Sequence, residues 1–221
     1  MLRNYWQMIN ELLYKKIKID TDAADATLVA VSKYKPKEDI EALHNLGQLH
    51  FGENYVQELV DKQAALPTDI YWHFIGHLQT NKVKYIAPFI YLIQSVDSEK
   101  LLQEIEKQGA KNNKVIKVLL QVHIADEATK FGFNEAELLA LQINTLKHTE
   151  VIGLMGMATF TPDKNKVKTE FEYLKSLYKK FAIQNNISLT TLSMGMSDDY
   201  ALALQCGSNM VRIGSAIFGS R

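Results

Sequence analysis

The chain has 221 residues, 47% of them hydrophobic, with 25 basic and 25 acidic side chains; this suits one sizeable soluble domain. The even charge leaves no electrostatic footprint for nucleic acid or an anionic membrane, and no apolar run is long enough for a transmembrane helix. Cys206 is the single cysteine, which excludes an intramolecular disulfide and makes a reducing, cytoplasmic compartment the natural expectation.

The opening stretch, "MLRNYWQMINELLYKKIKID", is not a signal peptide, because charged and polar residues interrupt its apolar runs. Tyr5, Ile9, Leu12, Leu13 and Ile17 fall at helical spacing, so it reads as an amphipathic helix packed on the body of the domain. Short β-like runs then alternate with helical patterns. The strands read as 27–33, 49–53, 71–76, 91–96, 117–123, 151–159, 191–196 and 210–219. "DSEKLLQEIEKQG" opens on capping residues and closes on Gly109. Leu138, Leu141 and Leu146 mark one later helix, and Val167, Phe171, Leu174, Leu177 and Phe181 another.

Eight strands, with a helix after each of the first seven, predict a parallel sheet closed into one α/β (β/α)8 TIM barrel across residues 1–221. The last strand runs almost to the C-terminus and leaves no room for an eighth helix, a gap that the N-terminal helix is placed to cover. The competing architecture, an open doubly wound sheet, lacks any GxGxxG after a strand.

Active sites of such barrels lie at the C-terminal strand ends. There the sequence places Lys33, Glu53, Asn54, Gly76, His77, Ser95, Asp97, His123, Thr159, Ser193 to Ser197, Arg212, Gly214 and Ser215. Side chains alternate along a strand, so Val29, Val31 and Lys33 share a face. If that face points inward, Lys33 stands in a partly desolvated mouth with Lys35 nearby. An amine kept neutral there can attack a carbonyl and form a Schiff base. The bland alternative is a lysine that merely reaches solvent.

Arg212 shares its parity with Gly214, while Val211 and Ile213 face the helices. A guanidinium inside a barrel needs an acceptor. Asp97 or Glu53 is the bland partner and a ligand atom the sharp one. Gly214 and Ser215 offer close backbone approach and N–H groups, Ser193 offers a hydroxyl, and loops after strands seven and eight often hold phosphate. Lysine, phosphate cradle and interior arginine together point to pyridoxal phosphate (PLP).

Seven stretches carry a family likeness in order from about residue 27 onward: "VAVSK" with the following "KP", "FGENYVQE", "HFIGHLQTNK", "KFGF", "GLMGMAT", "LSMGMSDDY" and "VRIGSAIFG". The chain resembles the pyridoxal-phosphate homeostasis protein family, whose fold is a barrel like the N-terminal domain of alanine racemase. The resemblance implies that Lys33 carries PLP as a Schiff base and that Arg212 faces the pyridine nitrogen. It also implies that Ser193, Gly214 and Ser215 hold the phosphate, with Asn54 and His77 lining the pocket. Tyr34 departs from the small threonine commoner in the family, and by parity it points away from Lys33.

Other motifs have plainer readings. His73 and His77 have metal-ligand spacing only if helical, and "YWHFIG" reads as strand. The methionines of the two "MGM" runs read as core. Asp198 and Asp199 read as helix caps, and the lysine-rich run 164–180 reads as a solvated helix face.

Two functions compete on these residues. An amino-acid racemase or related PLP enzyme needs further proton carriers, which alanine racemase takes partly from a C-terminal β-domain not seen here. A carrier that stores or delivers PLP to apo-enzymes needs none, and the resemblance points to that role in vitamin B6 homeostasis without robust turnover; the missing dimerising domain argues for a monomer. A Schiff-base aldolase leaves Arg212 without a task.

Overall fold

The computed structural model describes residues 9–127 and 131–219; Tyr5 of the expected first helix and Lys130 of the "KFGF" motif lie outside the described residues. Eight parallel strands close into a barrel in chain order, as the alternation predicts. They are β1 (Thr27–Val31), β2 (His50–Glu53), β3 (Tyr71–Phe74), β4 (Leu92–Val96), β5 (Ile116–Val122), β6 (Thr149–Gly156), β7 (Thr191–Ser193) and β8 (Met210–Ile213). Closure is made by β1 against β8, where Val29 lies opposite Arg212. Around the barrel run α1 (Glu11–Ala23), α2 (Lys37–Asn45), α3 (Val56–Ala65), α4 (Val83–Ile86), α5 (Glu99–Lys111), α6 (Glu135–Ala140), α7 (Lys164–Asn185), α8 (Tyr200–Gln205) and α9 (Ser215–Phe218).

The strand alternation sorts apolar residues into two layers. Val29, Leu92, Leu119, Met155 and Met210 fill the barrel interior. Leu28, Ala30, Phe51, Leu120, Leu192, Val211 and Ile213 face outward and pack against the helices. Each fully buried aliphatic side chain of this size contributes roughly 1.5–3 kcal/mol. The long helix α7 buries the expected Val167, Phe171, Leu174, Leu177 and Phe181.

Most strands stop short of their expected C-terminal ends, because the chain leaves the ladder there to turn into the βα loops. β8 is the largest correction. The stretch 210–219 is not one strand: β8 ends at Ile213, and Ser215–Phe218 forms a helical turn, with Ile217 N and Phe218 N donating to Gly214 O. No full eighth helix follows, and α1 takes the place. Its Asn10 caps Leu13 N through Oδ1 at 3.1 Å while Asn10 N donates to Ile217 O at 2.7 Å. The buried stripe of α1 is Tyr14, Ile17 and Thr21, whereas Leu12 is 84% exposed.

Two helix boundaries also differ. Gly109 does not end α5 but lies within it, where a Cβ would meet His148 O at 2.5 Å, so close packing on the β5–β6 side demands the glycine. The helix expected over Leu138, Leu141 and Leu146 stops at Ala140, although Asn134 and Glu137 form a capping box at its start. Leu141 and Leu146 lie in the irregular chain that follows.

Candidate functional site at the C-terminal strand ends

Lys33 stands two residues past β1, and Ser32 N extends the ladder by donating to Gly52 O at 3.0 Å. Its parity is that of Val29, which packs inside the barrel. Lys33 itself lies half-buried in the turn that follows β1. Among the described residues its amine has no hydrogen bond or ion pair. Lys35 points elsewhere: its Nζ donates to Phe218 O at 2.7 Å and Gly219 O at 3.3 Å. Tyr34 turns away from the mouth, its ring 5.0 Å from that of Tyr55.

Arg212 is buried on the inner face of β8. Its Nη1 donates to Ser193 Oγ at 2.5 Å and its Nη2 to Gly156 O at 3.0 Å. Neither bland partner reaches it. Asp97 is taken by His77, and Glu53 by Lys62 and Ser32. Among the described residues no carboxylate lies within ion-pairing distance of Arg212. Burial lowers the guanidinium to about 10, opposed by the field of Asp199. Asp199 itself is raised by burial, and it accepts from Met196 N at 2.6 Å. That bond, rather than a helix cap, occupies its carboxylate.

Below Arg212 runs a chain of side-chain hydrogen bonds whose direction is fixed from one end. A guanidinium only donates, so Ser193 must spend its own proton on Gln94 Oε1, at 2.7 Å. Gln94 then presents Nε2 to His73 Nδ1 at 3.0 Å. His73 carries its proton on Nε2 and donates to His50 Nδ1 at 2.9 Å. Burial holds both imidazoles neutral: His50 falls to about 4, with Lys18 adding to the effect, and His73 falls well below its ordinary value. Ser193 is therefore the acceptor that holds Arg212. Its hydroxyl, expected to hold phosphate, is engaged by Arg212 and Gln94.

The hydroxyl beside Ser215 belongs to Ser197. Ser215 Oγ donates to Ser197 Oγ at 3.1 Å, and Ala216 N donates to the same oxygen at 3.4 Å. At Gly214 a Cβ would come within 3.3 Å of Val31 Cβ and O, so this turn sits tightly against the end of β1. After the neighbouring strands β2 and β3, a Cβ at Gly76 would lie 2.4 Å from Asn54 O. Asn54 Oδ1 is buried there without a partner among the described residues. His77 is nearly half exposed; its Nδ1 lies 2.8 Å from Asp97 Oδ2, and its ring stacks on Phe131 with centroids 4.2 Å apart.

Sequence reasoning placed Ser197 at the strand ends without giving it a role, weighed His73 only as a metal ligand, and overlooked Gln94 and His50. Ser197 was visible in "MGMSDDY", directly before the α8 start. Gln94 and His73 were visible as polar residues in strands, on a parity that the outward Ile93 and Phe74 leave pointing inward.

Fold and site define a class: a parallel (β/α)8 barrel with a lysine and a buried arginine at its C-terminal strand ends, both without an ion-pair partner among the described residues, and a serine-lined turn beside them. The family described as "Alanine racemase, N-terminal domain" matches residues 14–221. A pyridoxal phosphate homeostasis protein of Pasteurella multocida (strain Pm70) is 43% identical over 202 residues, covering 88% of this chain and 86% of that protein. Another, of Aquifex aeolicus (strain VF5), is 41% identical over 199 residues, covering 89% and 87%. The structure of PipY from Synechococcus elongatus PCC7942 with PLP bound matches with a TM-score of 0.85 at 32% identity, over 94% of this chain and 100% of that one. The chain belongs to the alanine racemase N-terminal domain family, and within it to the pyridoxal phosphate homeostasis proteins.

Proposed function

We propose that this protein binds PLP at the barrel mouth, with Lys33 holding it as a Schiff base, and serves intracellular PLP homeostasis as a carrier. The observation that carries the reading is Arg212, a buried cation at a strand end with no carboxylate within pairing distance among the described residues. A charge placed so is costly unless a ligand completes its surroundings.

The other residues fit the same group. Lys33 offers an amine free of ion pairs. Ser197, Ser215 and Gly214 offer hydroxyls and backbone N–H groups to a phosphate, and Asn54 Oδ1 is a buried acceptor awaiting a donor. His77, oriented by Asp97, lies on the same rim. PLP supplies an aldehyde that condenses with a primary amine, losing one water, and a ring that draws electrons from a bound carbon best when its nitrogen is protonated.

Arg212 sets which half of that chemistry is used. Held near 10, it stays charged at neutral pH, so toward a ring nitrogen it gives a hydrogen bond and keeps its proton. Ser193 and Gly156 O fix its orientation. A ring held this way is a weak electron sink, which favours storage over turnover. Delivery to PLP-dependent apo-enzymes in the reducing cytoplasm follows from the same reading, and the lone, buried Cys206 is compatible with it.

The test is an absorption spectrum of the purified protein with PLP, set beside Lys33→Ala, followed by a chiral assay of free amino acids. A Schiff-base band lost in the variant, with no racemisation, is the expected result. A band that survives Lys33→Ala would overturn the assignment, and steady racemisation would replace the carrier with an enzyme.

A further inference from the structure

Both residues flanking Lys33 are tied to one buried ion cluster on α3 and the end of β2. Lys62 Nζ has three protons, and each has an acceptor: Ser32 O at 2.7 Å, Glu53 Oε1 at 2.8 Å and Glu58 Oε1 at 2.7 Å. On the near side of Lys33, Ser32 also donates its hydroxyl to Glu53 Oε1 at 2.6 Å. On the far side, Tyr34 N donates to Glu58 Oε1 at 2.6 Å. Tyr34 has φ of +61°, a left-handed conformation unfavourable to a residue with a Cβ. A charge-assisted bond to its N–H is the sort of contact that holds such a turn.

The cluster lies on the outward parity of Ser32 and Glu53, and among the described residues its hydrogen bonds run to Ser32 and Tyr34. A solvated lysine pair on α3 would stabilise the helix alone. This one gives one donor to Ser32 O and the other two to the carboxylates that accept from Ser32 Oγ and Tyr34 N. We infer that Glu53, Glu58 and Lys62 are positioning residues: they clamp residues 32 and 34 so that the Lys33 amine is presented at a fixed place. The inference rests on the reading of Lys33 as the PLP-binding residue.

Lys62→Met would leave Glu53 buried without its cation and endanger the fold, so Glu58, partly exposed, carries the test. Glu58→Ala removes the acceptor of Tyr34 N, and Glu58→Gln keeps one. In the protein without PLP, amide hydrogen exchange at Tyr34 should speed up in Glu58→Ala and return towards wild type in Glu58→Gln. With PLP, release to an excess of a competing amine, followed by Schiff-base absorbance, should be about tenfold faster in Glu58→Ala and be rescued in Glu58→Gln. Unchanged release in Glu58→Ala, from a wild type that forms the band, would overturn the clamp alone. Equal acceleration in both variants would also overturn it. A wild type without the band would overturn the functional reading, and the clamp with it.

Discussion

Arg212 Nη1 donates to Ser193 Oγ at 2.5 Å, and that serine, fully buried, passes its own proton to Gln94. A single hydroxyl thus joins the cation at the barrel mouth to a neutral chain running beneath it.

Ser193→Ala should be costly for this reason. It strips an acceptor from a buried guanidinium and a donor from Gln94 Oε1 at once. A destabilisation of about 1–3 kcal/mol is expected. Urea titration should show a lower midpoint with an unchanged slope, and a midpoint equal to wild type would show that the hydroxyl is not needed there.

The histidines at the far end of the chain give a pH dependence with a definite sign. His50 is lowered from 6.5 to about 4 in the folded chain. Between those values the unfolded chain binds the proton and the folded one does not, so stability present above about 6.5 is lost as the pH falls through the window. His50 accounts for up to about 3 kcal/mol of that loss. Glu53 and Asp199, raised by burial, act oppositely in the carboxylate range. The informative quantity is therefore the difference from His50→Gln, which still offers His73 an acceptor. The fall in unfolding free energy from pH 7 to 4.5 should be shallower in that variant, and parallel curves would refute the assignment.

Gly76 is held against Asn54 more tightly than any side chain permits. Gly76→Ala must push the β2–α3 turn outward and carry Asn54 Oδ1 with it. We expect a folded protein weakened by about 1–3 kcal/mol that binds PLP less tightly. Fluorescence titration with PLP beside thermal melts checks this, and an unaltered affinity would remove Asn54 from the site.

The barrel was legible because its strands alternate with helices over nearly the whole chain, and strand parity alone placed Val29 and Arg212 on the inner wall. Boundaries were less legible. In 210–219 a mostly apolar stretch hides a turn at Gly214, and backbone geometry separates the strand from the helical turn after it. Gly109 looked like a helix end, because a glycine needed for close approach to His148 is indistinguishable in sequence from one needed for a cap. The expected cluster of strand-end residues mixed two environments. Ser193 and Ser197 are four residues apart in one motif, yet the first is sealed inside the barrel while the second reaches the turn at Ser215. The partners of Arg212 were not legible, since they come from β6 and β7, at positions 156 and 193. The clamp of Lys62 on Ser32 was hidden for the same reason.

The most direct test of the account is borohydride reduction of the PLP-loaded protein followed by peptide mapping. The account predicts one pyridoxyl-modified residue, Lys33, and no modification in Lys33→Ala. Label on Lys35 or Lys62 instead, or label that persists in the variant, would contradict it.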